Sequence, residues 1–172
     1  MPATRLSQRS TVALTEALKT PGVISRYRAK VRTDTSCGCW WWTGAVSGNG
    51  HGRFWISGNG HTEKSITVIA HRFGYGLVHG IDALLAAELL THRCDNPLCQ
   101  NSDHLDATTN AQNRAEWAAR RHTPGSRLRD TDGARGRARR VRDGLKAGQP
   151  VSALESVGVR RLDRDQLALW EV

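Results

Sequence analysis

Long apolar runs are absent from this 172-residue chain. The longest, Ile81 to Leu90, carries Asp82 and Glu88 and falls well short of the roughly 20 apolar residues a membrane span needs, so no membrane association is expected. The first ten residues lack the apolar centre of a signal peptide, which predicts a soluble, cytoplasmic protein. Acidic residues are scarce, 16 against 25 Lys and Arg, and the resulting charge of +9 argues for a polyanionic partner, with nucleic acid foremost. Lysine is rarer still: 21 of the 25 cations are arginine, whose planar fork suits phosphate and guanine edges, although a GC-rich genome also raises arginine. Phe and Tyr number two each and only 38% of residues are hydrophobic, so one small core is expected rather than two, and a staple would help it hold. Cysteines number four. In a reducing compartment, short regular spacings make them metal ligands before disulfides.

Local pattern gives the organisation. Thr11 to Lys19 has helical composition and Thr20-Pro21-Gly22 is expected to stop it; Ser25 to Thr35 is basic and carries no catalytic pattern. Trp40-Trp41-Trp42, Arg53 to Ile56 and Ile66 to Ile69 are separated by two Ser-Gly-Asn-Gly-His turns, which predicts a short β-meander. In it Trp40 and Trp42 share a face and Trp41 is the one to look outward. His71 to Gly80 reads as a short helix ended by glycine. Leu89 to His92 and His104 to Ala107 read as strands, and Thr109 to Arg121 as a helix with Glu116 and Arg120 spaced for an ion pair. Thr123-Pro124-Gly125-Ser126 then resembles a linker before the basic helix Arg135 to Lys146. From Arg114 to Lys146, eleven cations against four acids leave a net +7.

Chemistry concentrates in Thr91-His92-Arg93-Cys94-Asp95-Asn96-Pro97-Leu98-Cys99-Gln100-Asn101-Ser102-Asp103-His104-Leu105. Cys94, Cys99 and His104 stand at intervals compatible with a structural zinc, needing one more ligand from Cys39 or Cys37. A neutral histidine at a strand end can take a proton from water, and His92 is the candidate. Isolated histidines are usually bystanders, the reading given to His51, His61, His79 and His122.

The string resembles the HNH nuclease family, in the branch with zinc-binding cysteines inside its motif. The resemblance runs from about Cys39 to Arg121. It implies an α+β fold in which a small β-meander packs on a ββα-metal unit stapled by structural Zn²⁺, with helical basic extensions at both ends. It implies a catalytic Mg²⁺ or Mn²⁺ held by Asn113 on the helix and by the residue before His92, which here is Thr91 where an acidic or second histidine ligand is usual. It favours Cys39, directly before the tryptophans, as fourth zinc ligand with Cys94, Cys99 and His104; the rival set is Cys37, Cys39, Cys94 and Cys99. For His71 a packing role stands beside the place near DNA implied by the resemblance of Ala70-His71-Arg72 to a recurrent Ala-His-Arg of HNH nucleases.

The expected organisation is a helical arm over 1–36, a zinc-stabilised nuclease domain over 37–122 and a basic extension over 123–172. The expected activity is metal-dependent hydrolysis of DNA phosphodiesters by a phage- or mobile-element-type enzyme in a bacterial cytosol, with Arg114, Arg120, Arg121, Arg135, Arg137, Arg139, Arg140 and Arg142 on the phosphates. The alternatives are a zinc-stabilised DNA-binding protein without cleavage and an RNA-directed module. Finally, Gln166-Leu167-Ala168-Leu169-Trp170 is similar to the short peptides by which bacterial proteins dock on the replication sliding clamp, against which stands a tail packed on its own domain.

Overall fold

Most of the predicted elements form, and the tryptophan strand is the one that pairs differently. The structure, a computed structural model, describes residues 7–33, 37–56 and 65–168. The second Asn-Gly turn at Asn59-Gly60, with His61, lies outside them, as do Leu169 and Trp170 of the clamp-like peptide. The architecture is mixed α+β, with small antiparallel sheets among helices. No helix among the described residues is long and apolar enough to cross a membrane.

Two helices open the chain. In α1, Gln8–Ala17, the Ser7 side chain accepts from the Ser10 amide, satisfying a donor that has no partner within the helix. The Thr20-Pro21-Gly22 segment does more than stop this helix: Pro21, with its preset φ and no amide hydrogen to satisfy, begins α2, Pro21–Arg28. Leu14, Ala17, Val23 and Tyr27 are buried in one cluster with Trp41, Trp42, Phe54 and Phe73 and with Val141 and Leu154 further on. The residues of the expected arm, centre and extension thus share a common core.

The tryptophan strand is not part of the meander. β1, Val31–Thr33, pairs with β2, Trp40–Trp42, as a separate ribbon, while the meander consists of β3, Ala45–Val46, β4, Gly52–Ile56, and β5, Ile66–Ile69. The other edge of β2 is taken by the cysteine loop: Trp42 N donates to Leu98 O at 3.0 Å, Gln100 N donates to Trp40 O at 2.7 Å, and Trp41 bridges Cys99. Covered on both faces, β2 buries Trp41 and Trp42 completely, and Trp40 is the exposed member at 39%. The expectation for Trp41 is corrected accordingly. Trp42 and Phe54 close around Tyr27, both with ring centroids 5.5 Å away, and Phe73 lies 5.1 Å from it. A Cβ at Gly52 would meet the Trp42 ring at 2.6 Å, so only glycine lets β4 pass so closely.

Helix α3 covers Ala70–Ala86 and breaks at Gly80, whose φ of +85° is left-handed, so the predicted stop is present and a second segment follows it. β6, Leu89–His92, then pairs antiparallel with β7, Leu105–Thr108, setting His92 opposite Leu105. Helix α4, Asn110–Arg120, starts from a capping box in which Thr109 and Gln112 satisfy each other's backbone amides. The basic stretch forms α5, Gly133–Lys146, packed through Ala138, Val141 and Leu145 with Val151 and Leu154 of α6, Val151–Ser156; α7, Arg161–Ala168, ends the described chain.

Candidate functional site

Two clusters of ligand-type side chains lie close together, one of thiols and one of imidazoles. The first forms because β2 runs beside the loop that follows β6. That loop turns sharply: the Asp95 amide donates to His92 O at 3.1 Å with Asp95 at φ +51°, and the Cys99 amide donates to Asn96 O at 2.9 Å. The buried Asn96 side chain accepts from the Leu98 amide at 3.2 Å, the self-bonding turn at which asparagine excels. The Asn101 amide group donates to Gly38 O at 2.8 Å and fixes the backbone just before Cys39.

As a result the donor atoms of Cys39, Cys94, Cys99 and His104 all lie within 4.8 Å of one another. His104 Nδ1 stands 3.5 Å from Cys99 Sγ and 3.7 Å from Cys39 Sγ. A tetrahedral zinc with ordinary bond lengths separates such S and N atoms by about 3.6 Å, so these four groups fit the ion. Hydrogen bonds from Cys39 and Cys99 hold Cys94 well below the usual thiol range, while Cys39, Cys94 and burial push Cys99 up. Cys37 stands beside Cys39 but outside the four-donor group. Of the two sets left open by the sequence, the geometry brings together the one containing His104.

The second group is His51, His71 and His92, whose nitrogens again lie within 4.8 Å of one another. His51 and His92 line a cleft of about 260 Å³ with Asn49, Thr91, Asp95, Pro97, Asn113, Trp117, Arg120, Arg127, Leu128, Ala134 and Arg137. The three residues expected to carry catalysis, Thr91, His92 and Asn113, therefore open onto one space although they come from β6 and α4. His92 is mostly buried and its Nε2 lies 3.2 Å from the Cys99 carbonyl oxygen. Burial first, then the neighbouring His51, lowers its pKa to about 4, so it is neutral at physiological pH. Burial, both other imidazoles and Arg72 hold His71 well below the usual histidine range, and burial lowers His51 as well. The Thr91 hydroxyl is turned to the ladder, donating to Asp106 O at 3.4 Å.

His51 corrects the bystander reading. It sits just past a turn closed by the Gly50 amide donating to Ser47 O at 3.2 Å, with Gly50 at φ +83°, and that turn carries its ring to 5.3 Å from His71 and 5.9 Å from His92. The only local signal was a histidine directly after Asn-Gly. Its partners stand 20 and 41 positions away.

The arginines divide sharply. Arg137 is buried and paired with Glu155, with Asp130 at 4.0 Å and the Asn96 side chain at 3.3 Å, so it holds α5 against the cysteine loop instead of facing a phosphate. Arg140 pairs with Asp130 and Asp132, and Arg142 with Asp143. Arg120 bonds Asp95 at 3.1 Å and Glu116 at 3.6 Å, the second being the predicted helix pair. Arg114, Arg121, Arg135 and Arg139 are exposed, and Arg121 lies over the Trp117 ring at 4.3 Å. Arg127, which sequence reasoning missed, donates to the Cys94 carbonyl at 2.7 Å and pairs with Glu155, tying the loop to α6. Gln166 is exposed on α7.

The chain is similar to two proteins of Escherichia phage T7. It is 35% identical to Protein 2.8 over 99 residues, 57% of this chain and 63% of that protein, and 32% identical to Protein 7.7 over 82 residues, 48% and 56% respectively. The chain thus spans less than two thirds of either relative. No family model matches it, and no solved structure matches it.

Proposed function

We propose that this chain is a metal-dependent HNH-type endonuclease that hydrolyses DNA phosphodiesters in the cleft beneath α4. The observation that carries the reading is that His92, at the end of β6, and Asn113, in the first turns of α4, line one cleft beside the Cys39, Cys94, Cys99 and His104 cluster. The order β6, cysteine loop, β7, α4 supports a ββα-metal unit stapled by zinc on those four residues. The exposed Arg114, Arg121, Arg135 and Arg139 supply cations for a DNA backbone. Phage relatives suit a phage-type enzyme acting in a bacterial cytosol.

Water attacks phosphorus in line with the leaving oxygen; His92 accepts the water proton as the new P–O bond forms and the old one breaks. Bound in the cleft, Mg²⁺ or Mn²⁺ would offset the charge developing on the phosphate. Asn113 on the cleft wall is the residue that would hold it, with Thr91, whose hydroxyl donates to Asp106 O, as a second ligand. Trp117 gives one wall an apolar surface. The second reading, a DNA-binding protein without cleavage, draws support from the shortage of carboxylates: Asp95 is the one acid on the described cleft wall and Arg120 engages it. Supercoiled plasmid incubated with Mg²⁺ or Mn²⁺ decides between them. Conversion to nicked or linear forms, lost in His92→Ala, is expected; retention of DNA without conversion would overturn the endonuclease.

A further inference from the structure

We infer that His51, His71 and His92 form a second metal site, one for a borderline transition ion such as Zn²⁺ or Co²⁺, distinct from the cysteine cluster and opening onto the cleft. Three features carry it. The donor atoms converge within 4.8 Å from three separate elements: the β3–β4 turn, the start of α3 and the end of β6. Burying three imidazoles against one another, their rings tilted or edge-on, has no packing rationale that an aliphatic side chain would not serve better. The second feature is His71 Nδ1, a fully buried ring nitrogen that has no hydrogen-bond partner among the described residues. An orphaned polar atom at such depth is costly, and an ion would satisfy it. The third is His92, whose Nε2 faces the Cys99 carbonyl oxygen at 3.2 Å. Histidine ligands characteristically give one ring N–H to a backbone carbonyl, which fixes the tautomer and leaves the other nitrogen for the metal.

The donor set selects the ion class. Three imidazoles without a carboxylate suit zinc, cobalt, nickel or copper and are poor hosts for Mg²⁺ or Ca²⁺, which prefer oxygen. Three protein ligands leave a fourth position, and because His51 and His92 line the cleft, that position faces solvent. Binding requires small ring rotations, since nitrogens around a tetrahedral ion stand about 3.4 Å apart. Of the nearby cations, Arg127 is paired with Glu155 and Arg120 with Asp95, while Arg72, which follows His71 and lowers it, gives its guanidinium to the Leu84 carbonyl. The site stands without the endonuclease reading; only its catalytic consequence rests on that reading. An ion on the His92 nitrogen takes the lone pair that proton transfer uses, so His92 serves the ion or the water, not both.

Titration of the metal-free full chain with Co²⁺ tests the site. Cobalt on thiolates gives an intense charge-transfer band, whereas cobalt on imidazoles gives only weak visible bands, so the two sites are read separately. Two ions per chain are expected, the second without added thiolate absorption. His51→Ala and His71→Asn should each lose that second ion and keep the thiolate band, which doubles as a check on folding. Should His71→Asn fail to fold, His51→Ala decides, since it alters a half-buried turn residue. Uptake of a single ion by the unaltered chain, or a second ion that survives His51→Ala, would overturn the inference. Plasmid cutting is scored independently: two ions with no cutting sinks the endonuclease and leaves the site standing, whereas one ion with cutting does the reverse.

Discussion

The backbone amide of Gln100 donates to the carbonyl oxygen of Trp40 at 2.7 Å, and with the Trp42 amide on Leu98 O this bond joins the tryptophan strand to the cysteine loop. Cys39 precedes Trp40 and Cys99 precedes Gln100, so the same pairing brings both sulfurs to His104 Nδ1, at 3.7 and 3.5 Å. A metal held there would depend on the backbone pairing, and the pairing on the metal.

Removal of the ion from this cluster is expected to unfold the region around it. Metal binding in small structural sites contributes about 10–16 kcal/mol of apparent folding free energy, so a strong chelator should abolish the cooperative thermal transition followed by circular dichroism. Cys39→Ser and Cys99→Ser should each lose the thiolate-bound ion in metal analysis, while Cys37→Ser keeps it. Acidification releases the ion in the same experiment, because protons compete for the thiolates. A Cys37→Ser protein that loses its metal while Cys39→Ser retains it would move the ligand set to Cys37.

Tyr27 donates from its hydroxyl to Gln100 Oε1 at 2.9 Å in the core, and burial raises its pKa above the ordinary phenol value. Tyr27→Phe leaves that oxygen without its partner, at an expected cost of about 1–3 kcal/mol in urea unfolding. The hydroxyl also abuts Gly74, where a Cβ would collide with it. Gly74→Ala should therefore destabilise the protein on its own but do so less in the Tyr27→Phe background, a coupling that a double-mutant cycle measures.

Arg137 and Arg139 sit two positions apart on α5 and should behave oppositely. Arg137→Ala takes one of two cationic partners from Glu155 and from the nearly buried Asp130, leaving Arg127 and Arg140 in place, a loss expected at about 1–3 kcal/mol of stability. Arg139 is exposed, so Arg139→Ala should change stability by less than about 0.5 kcal/mol. Its effect belongs to DNA binding, where the logarithmic salt slope should fall by about one. An unchanged slope would remove Arg139 from the phosphate surface.

That contrast shows where local pattern stops. β6, β7 and α4 were legible because the apolar Leu89 and Leu90 and the Glu116–Arg120 interval are short-range signals. Gly80 announced the break in α3 for the same reason. The partner of the tryptophan strand was not legible: Val31-Arg32-Thr33 is too short and too basic to show alternation, and its pairing is a tertiary fact. Charge runs mislead similarly. The net +7 seemed to mark a phosphate-binding face, yet Glu155, outside the counted run, takes up both Arg127 and Arg137. His51 escaped because only folding brings it to His71 and His92.

The last test separates position from chemistry in the cleft. Asn113 is half-buried on α4, a helix with no fully buried residue, so Asn113→Ala should leave the melting transition nearly unchanged. If Asn113 holds the cation, plasmid cutting at limiting Mg²⁺ should collapse and recover in part at high Mg²⁺, because the affinity and not the proton transfer is damaged. His92→Gln should instead lose about 10²–10⁴-fold at every Mg²⁺ concentration, since His51, the other imidazole on the cleft, belongs to a different element and its ring lies 5.9 Å from that of His92. Identical magnesium dependence in the two variants would contradict the division of roles, and full activity in His92→Gln would remove the proton acceptor from the mechanism.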